Sequence, residues 1–319
     1  MFLIQIRITG VQLNFFTMVE SCQDDFLAHY KFITGKLKKK FLRKPNVAES
    51  SEQFANLANR CKDDELPQYA GLCWMAVAKC EGSLENRTEE AAALINASNQ
   101  FLVAEEKLLT CHCVSPNLEH LQAAVSCMNH ARLKWTKDLP LMTGLTIHTG
   151  KTLEQFGLTS EASLYYSRAA DLQSEYPNQK LESLFLLATA RINSGDYDGA
   201  LITYNEIASI ASHFVPFGTN LDTLVRCEVT RILLLLIMKP APHRHAPTML
   251  EKYTWIGDSS KSQVPWMSEE LFFFLQSLVM SCQSLDFEAL LETEKELWPL
   301  LSAEQKQLLR ILVQSTARI

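Results

Sequence analysis

Glycine and proline, the residues that most often interrupt helices, are scarce in this chain: each occurs only 11 times among 319 residues. Leu, Ala, Glu, Lys and Gln, which favour helices, are abundant. This composition predicts an all-α fold. Apolar residues make up 47% of the chain, enough for a substantial core, so wholesale disorder is not expected.

Long apolar runs are also missing. The strongest, Ile232–Met238, is far shorter than the ~20 residues of a membrane-spanning helix, and it follows two arginines. We therefore predict a buried helix there and no transmembrane segment. The apolar start of the chain is interrupted by Arg7 and has no clean cleavage site, so it gives little support to a signal peptide or a short strand. We expect residues 1–23 to lie outside the fold, as an extension or because translation begins at Met18.

A disulfide framework is not indicated either. The cysteines are odd in number, 9 in all, and irregularly spaced, and several lie within predicted helices. This pattern is typical of the reduced, buried thiols of an intracellular protein. The glycosylation sequons at Asn86 and Asn96 then have no role, because glycosylation requires the secretory route.

A complete motif for nucleotide or metal chemistry is absent. Gly150-Lys151-Thr152 resembles the end of a phosphate-binding loop, but Leu145 stands where that loop needs its first glycine. We expect Gly150 to pack against the paired helix of its own repeat instead. Cys111-His112-Cys113 has the wrong ligand spacing for a structural zinc site. We predict no catalytic, cofactor-binding or metal-ligating residue, with a zinc- or nucleotide-dependent enzyme as the alternative.

Charge is unevenly distributed along the chain. The formal net charge is −6, and residues 1–160 contain 17 basic and 17 acidic residues, whereas residues 161–319 contain 13 and 19. Such an asymmetry bears on partners and solubility more than on fold. The acidic C-terminal half argues against general nucleic-acid binding.

A repeated apolar pattern is the clearest positive signal. It occurs twice, 38 residues apart, and in a fainter third copy without the glycine: Gly195, Ala200, Tyr204 and Ile207; Gly157, Ala162, Tyr166 and Ala169; Ala97, Phe101 and Ala104. Small residues where two helices touch and a large residue covered by the next pair are the signature of a tetratricopeptide repeat. One helix hairpin cannot bury its own apolar side, so copies must stack. We predict an all-α, tetratricopeptide-like α-solenoid of stacked helix hairpins.

Four segments are predicted along the chain. Residues 1–23 form the extension, 24–238 the helical repeat array, 239–265 a proline-containing linker with a short helix, and 266–319 the C-terminal helices that complete the solenoid. Asn46 followed by Glu49, Pro67 and Ser302 are typical residues at helix starts.

A basic cluster at the end of the first predicted helix is one candidate for partner binding: Lys38, Lys39, Lys40, Arg43 and Lys44. Cations at this position complement the negative end of the helix dipole, so a solvated helix end is the simpler interpretation. The functional interpretation is a basic patch for an acidic protein surface or anionic lipid.

An acidic segment is the second candidate. Between Ser268 and Glu304 there are eight acidic residues and one lysine. Glu288, Glu292 and Glu296 recur every four residues and so share one face of a predicted helix, at a cost of a few tenths of a kcal/mol per like-charged pair. The row is either a soluble surface or a docking face for a basic partner, whose complementary field would guide encounter.

Several longer strings resemble one protein family. They are Asp25–Phe54, Val225–Leu236, Leu250–Trp255, Glu269–Met280 and Glu296–Gln305, and the match runs from Asp25 to about Val313, more loosely over residues 60–220. The family is that of the forty-kilodalton huntingtin-associated protein, also called the factor VIII intron 22 protein. Its members have a long Ala/Pro/Gly-rich insertion where this chain has only Phe214–Asn220.

The resemblance implies a single superhelical protein without enzymatic activity or cofactors. It implies that the partner is huntingtin, bound in the cleft between its helical-repeat lobes and bridging them, with an indirect link to Rab5 and early-endosome motility. It also implies a cytoplasmic location with early-endosome association, and the nucleus is a further candidate location. Within the binding class, the alternative is a general tetratricopeptide adaptor that captures peptide tails of several partners.

Overall fold

The computed structural model describes residues 26–38, 46–113, 115–238, 247–254, 264 and 266–317. Within these ranges all regular structure is helical and there is no β-strand. Consecutive helices pack against one another along the chain, so the prediction of an all-α fold of stacked helix hairpins is confirmed. Contacts divide the chain into two compact units, one up to Thr146 and the other from Ile147 onward.

The first unit is a run of consecutive antiparallel helices. They are α1 (26–37), α2 (Val47–Asp63), α3 (Pro67–Ser83), α4 (Arg87–Thr110), α5 (Glu119–Lys134) and the first part of α6 (Leu139–Gln155). The core of this unit is lined by small residues such as Ala58, Ala70 and Ala97, all completely buried, with Phe54 and Phe101 filling the spaces between helices. Small residues at the contact lines let the helix axes approach closely, as the repeat pattern predicts.

Local signals begin these helices where the sequence predicts. The Asn46 side chain accepts a hydrogen bond from the Glu49 backbone N–H, at 3.3 Å, and so caps α2. Pro67 occupies the first turn of α3, where its missing N–H leaves no helical bond unmade. Ser302 forms a full capping box with Gln305 at the start of the last helix.

The second unit begins with the same arrangement and then departs from it. Its helices are the rest of α6, α7 (Thr159–Leu172), α8 (Pro177–Ser194), α9 (Tyr197–Ser212), α10 (Thr219–Met238), α11 (Pro247–Glu251), α12 (Glu269–Ser284), α13 (Phe287–Leu297), a 3₁₀ turn (Trp298–Leu300) and α14 (Ala303–Thr316). Helices α7 to α10 pack in sequence, but α10 also contacts α12 and α14. The last helix therefore returns to the centre of this unit.

The two clear copies of the repeat form the hairpins α6–α7 and α8–α9. Gly157 and Gly195 make the corner of each hairpin with φ of 79° and 80°, a left-handed conformation in which a Cβ atom is strained. Tyr166 and Tyr204, at the large position of each copy, are fully buried. The predicted hairpin architecture of these copies is confirmed residue by residue.

A small residue on the preceding helix faces each large aromatic ring. A Cβ atom added to Gly150 would lie 2.7 Å from Cε1 of Tyr166, and one added to Gly71 would lie 2.8 Å from Cε1 of Phe101. The expectation that Gly150 packs against its paired helix is confirmed. Because Gly150 lies inside α6, Gly150-Lys151-Thr152 is helical and cannot cup a phosphate in a loop.

The third copy lacks the corner glycine for a structural reason. Helix α4 begins at Arg87, well before Ala97, so the residue that corresponds to the glycine lies inside the helix. The corner itself is at Glu85, which adopts a φ of 61° without being glycine. The pattern therefore identified the packing of this copy but not the position of its turn.

The predicted extension, residues 1–23, lies outside the described residues. Most of the predicted linker, residues 239–265, also lies outside them, although the short helix α11 within it is described. The segment boundaries stay predictions. No helix in the described part of the chain combines the length and apolar character needed to cross a membrane.

Candidate partner-binding surfaces

The acidic row consists of Glu288, Glu292 and Glu296 on α13. All three side chains are exposed, while Leu290, Thr293 and Leu297 on the opposite face are buried. None of the three glutamates has an ion-pair partner among the described residues. The structure thus places them on one solvent-facing side of α13, as the four-residue spacing predicts, and their role in binding stays a prediction.

Helix α12, which precedes α13 in the same hairpin, has exposed apolar side chains. Phe273 is 59% exposed and Met280 is 45% exposed, whereas Leu271, Leu275 and Leu278 are buried on the other side of the helix. Large apolar side chains left in water at helical spacing are typical of surfaces that another molecule covers. The α12–α13 hairpin therefore presents both charge and apolar area.

Glu304, which the sequence groups with the acidic segment, has a different position. Its carboxylate accepts hydrogen bonds from Thr189 Oγ1 of α8 at 2.9 Å, from the Tyr204 hydroxyl of α9 at 3.1 Å and from Arg226 Nη2 of α10 at 2.7 Å. Gln305 adds a hydrogen bond from its Nε2 to the Arg226 carbonyl oxygen at 3.2 Å. Glu304 is therefore not part of a free acidic surface; it attaches α14 to three other helices.

The electrostatics of this cluster follow from burial and from the ion pair. Burial raises the pKa of the Tyr204 phenol, and the nearby Glu304 carboxylate raises it further. Burial, the largest single effect, opposes the charged form of Arg226, but the hydrogen bond to Glu304 and the electrostatic attraction of Tyr204 and Glu304 together outweigh it and raise the pKa of Arg226. Arg226 also lies 4.5 Å from the centroid of the Phe185 ring. The cluster is a structural attachment in which three donors share the Glu304 carboxylate, while Nε of Arg226 is buried without a hydrogen-bond partner among the described residues.

The basic cluster can be placed only in part. Lys38 is exposed at the end of α1, and Lys39, Lys40, Arg43 and Lys44 lie outside the described residues. Lys38 lines a groove of about 610 Å³ formed by α1, α2 and α3, with Leu72, Met75 and Lys79 among the other lining residues. Leu72 and Met75 are each more than 40% exposed. The binding role of the basic cluster stays a prediction.

The sequence pattern did not predict the exposure of two aliphatic side chains. Leu164 on α7 is 69% exposed and Ile202 on α9 is 65% exposed. They occupy the same position in the two repeat copies, two residues after Ala162 and Ala200. Aligning the copies and looking for apolar residues away from the packing positions would have found them. We name Leu164 and Ile202 the aliphatic pair.

The cysteines form no metal-binding cluster in the described part of the chain. Cys111 and Cys113 are exposed between α4 and α5, whereas most of the other thiols are buried. Burial raises the pKa of Cys127 to about 11 and that of Cys227 to about 12, which keeps both thiols protonated at neutral pH. No group of three or more His, Cys, Asp and Glu side chains within the described ranges could hold a metal ion.

Comparison with known proteins decides the family. The 40-kDa huntingtin-associated proteins of Rattus norvegicus and Mus musculus are each 34% identical to this chain over 357 residues, which cover 92% of the chain and 93% of each relative. The chain belongs to the family of the 40-kDa huntingtin-associated protein. No family model matches the sequence.

Three of the strings that resemble the huntingtin-associated protein family lie in helices of the second unit that pack together. Val225–Leu236 forms most of α10, Glu269–Met280 forms most of α12, and Glu296–Gln305 includes the 3₁₀ turn and Glu304. These are the segments that the Arg226–Glu304 pair and the α10 contacts bring together. The aligned span also exceeds this chain's own length, so the relatives have residues that this chain lacks.

Proposed function

We propose that this chain is a non-enzymatic scaffold that binds huntingtin, and that it bridges and stabilises the helical-repeat lobes of that protein. The observation that carries the proposal is the identity across nearly the whole chain to proteins named as huntingtin-associated. A fold of helix hairpins supports a binding role, because such folds act through the surfaces that they present. Two helical arrays pressed together would bury well over ~2,000 Å², the range of permanent complexes.

Direct binding is the first test. The purified chain and purified huntingtin are mixed and separated by size-exclusion chromatography. The mass of the protein in the eluted peak is then measured by mass photometry. The proposal expects one complex with one copy of each protein, and it expects protection of huntingtin against limited proteolysis. Independent elution of the two proteins at micromolar concentration would contradict the proposal.

The acidic row is proposed to guide the encounter with a basic surface of huntingtin. Glu288, Glu292 and Glu296 are exposed and have no counter-ion of their own among the described residues, so their field is available to a partner. Reversing all three to lysine should slow association about tenfold or more and flatten its dependence on salt.

The control for this reversal is a triple variant with the same change of charge. Glu52, Asp63 and Glu106, in α2 and α4 of the first unit, are also exposed. Changing them to lysine should leave the association rate within about twofold, since they lie outside the acidic row. Equal loss in both triple variants would show that net charge alone matters and would remove the acidic row from the interface.

The aliphatic pair is proposed to supply apolar affinity. Burying two such side chains against a partner removes most of their exposed area from water, which stabilises a complex by ~1–2 kcal/mol each. We expect Leu164→Glu with Ile202→Glu to raise the dissociation rate from huntingtin at least tenfold without changing the melting temperature of the free chain. Unchanged dissociation would place the interface elsewhere.

We further propose that the complex connects to Rab5 and early endosomes through huntingtin, in the cytoplasm and with a nuclear fraction. The test is a capture assay. Rab5 loaded with a non-hydrolysable GTP analogue is incubated with the immobilised free chain and with the immobilised complex, and the bound Rab5 is measured. Capture by the complex alone supports the indirect link. Capture by the free chain supports a direct one, and capture by neither removes Rab5 from the proposal.

A second candidate function is the general peptide adaptor, favoured by the groove between α1, α2 and α3. The groove combines half-exposed apolar residues, Leu72 and Met75, with the cations Lys38 and Lys79. Such a lining suits a short peptide with apolar and acidic residues. Isolated peptides would bind an adaptor, whereas the scaffold requires folded huntingtin, so titration with huntingtin fragments and with the folded protein separates the two functions.

A further inference from the structure

The last helix has two cations beside one tryptophan. Lys306 Nζ lies 5.5 Å and Arg310 Cζ 4.5 Å from the centroid of the Trp298 ring. Lys306 and Arg310 are one helical turn apart on α14, so their like charges repel each other. No carboxylate of the described residues forms an ion pair with either of them.

This arrangement differs from that of several other basic residues in the same unit. Four other cations there are paired with carboxylates: Lys180 with Glu206, Arg191 with Asp196, Arg226 with Glu304, and Arg231 with Glu228. Residues 161–319 contain 13 basic and 19 acidic residues, so carboxylates are in excess. Two neighbouring cations that remain unpaired in such surroundings leave their charge available to a ligand.

The cations line an open groove of about 550 Å³ on the outward side of α14. Besides the cations, the groove is lined by Trp298, Ala303, Gln307, Ile311 and Gln314. The indole ring, the Ala303 methyl group and the Ile311 side chain form an apolar floor, and the two glutamines add amide groups. The groove therefore offers positive charge and amide groups beside apolar area.

A simple end cap would not require these residues. The inward face of α14 is buried through Leu308, Leu309 and Leu312, so its outward face is where a further repeat would stack. A polar outward face is sufficient to prevent that stacking. Glutamine or glutamate would serve equally well there, and neither would place a repelling pair of cations over an aromatic ring.

We propose that this groove binds an acidic peptide segment that contains an aliphatic side chain. Carboxylates of the segment pair with Lys306 and Arg310, and the aliphatic side chain packs on Trp298 and Ile311. An extended polyanion such as nucleic acid or an anionic membrane is less suitable, because the acidic row on the preceding helix repels it. A short peptide makes only local contacts, and these lie within the screening length of ~8 Å at physiological salt. The site uses none of the residues of the acidic row and does not depend on huntingtin.

The test screens the full chain against hexapeptides with blocked termini that combine glutamate and leucine in every order. The affinity of each peptide that binds is then measured by isothermal titration calorimetry. Peptides in which glutamine replaces each glutamate are the neutral control. We expect binding of acidic peptides that weakens about fivefold or more in Arg310→Glu and in Lys306→Glu, and that weakens as salt is added. Lys295→Glu is the matched control, since it reverses an exposed lysine on α13 outside the groove, and it should change affinity less than about twofold.

Several outcomes would overturn the inference. One is that no acidic peptide binds at millimolar concentration, and another is that the neutral peptides bind equally well. Equal weakening by Lys295→Glu would show a non-specific response to net charge. Tighter binding of a single-stranded oligonucleotide or of phosphatidylserine vesicles, lost in Arg310→Glu, would assign the groove to a polyanion. Circular dichroism melts of each variant show that it remains folded.

Discussion

The hairpins α6–α7 and α8–α9 have the same apolar pattern but use it differently. In the first, the hydroxyl of the buried Tyr166 donates to Glu154, 2.9 Å away on the adjacent helix of the same hairpin. In the second, the hydroxyl of the equally buried Tyr204 donates to Glu304 on α14, a hundred residues further along the chain. The first tyrosine hydroxyl is bonded within its own hairpin, whereas the second attaches its hairpin to α14.

This difference shows how a repeat can acquire a specific neighbour without changing its packing. The Tyr166 ring fills the space opposite Gly150, and the fully buried Ala188 holds the corresponding position in the second copy, 38 residues later. The ring satisfies the repeat, and the hydroxyl must still find an acceptor, because a buried polar group without a partner costs 1–3 kcal/mol. The carboxylate that accepts this hydrogen bond therefore determines which helix packs beside the hairpin.

Removing the carboxylates should produce the largest difference in stability between the two hairpins. Glu304→Ala leaves the buried Tyr204 hydroxyl, Thr189 and the partly buried Arg226 without their acceptor, so we expect a loss of about 3 kcal/mol in the free energy of unfolding. Glu154→Ala removes one hydrogen bond and should cost about 1 kcal/mol. Urea unfolding followed by circular dichroism measures both. Equal losses would mean that α14 is attached mainly by its apolar face.

Filling the space opposite Tyr166 tests the small position. Gly150→Ala places a methyl group against the ring at 2.7 Å, and we expect a destabilisation of about 2 kcal/mol despite the better helix propensity of alanine. Gly144→Ala is the control in the same helix, because nothing lies within 4 Å of the added carbon. This control should stabilise the chain by up to about 1 kcal/mol. Stabilisation by both substitutions would contradict the close contact.

Removing the hydroxyls sharpens the comparison further. Tyr166→Phe should cost about 1 kcal/mol and Tyr204→Phe about 0.5 kcal/mol, because Glu304 keeps two other donors when the Tyr204 hydroxyl is removed. Burial raises both phenol pKa values above the ordinary value of 10.0, so the neutral form is favoured in the folded chain. That stabilisation is complete below about pH 10 and is lost as the pH rises through the raised values. We expect each Phe variant to lose less stability than wild type between neutral pH and pH 11, measured by urea unfolding.

The corners should respond alike in the two hairpins. Gly157→Ala and Gly195→Ala each place a Cβ atom on a residue with φ near 80°, and we expect a loss of about 1 kcal/mol in both. Melting temperatures of the two variants check this. A much larger effect at Gly195 would show that the corner of α8–α9 also contributes to the attachment of α14.

Much of the fold was predictable from local patterns. The spacing of Ala200 and Tyr204, and of Ala162 and Tyr166, identified both hairpins, because the packing of adjacent helices depends on residues near in sequence. The even spacing of Glu288, Glu292 and Glu296 predicted their shared exposed face for the same reason. Glu304 could not be separated from them, since its partners come from three helices far along the chain. The exposure of the aliphatic pair was missed because the repeat pattern identifies only buried positions.

By itself, the sequence determined that this protein is helical, where its two clear repeat hairpins turn and which residues fill the space between paired helices, since helix propensity and short-range packing act over a few turns. Its resemblance to the huntingtin-associated protein family also lay in the residues alone, and comparison confirmed it. Only the tertiary structure decided that the Glu304 carboxylate is partly buried among three other helices. It also decided that Lys306 and Arg310 stand unpaired beside Trp298. The physical reason is that burial and ion pairing depend on segments that chain order does not bring together.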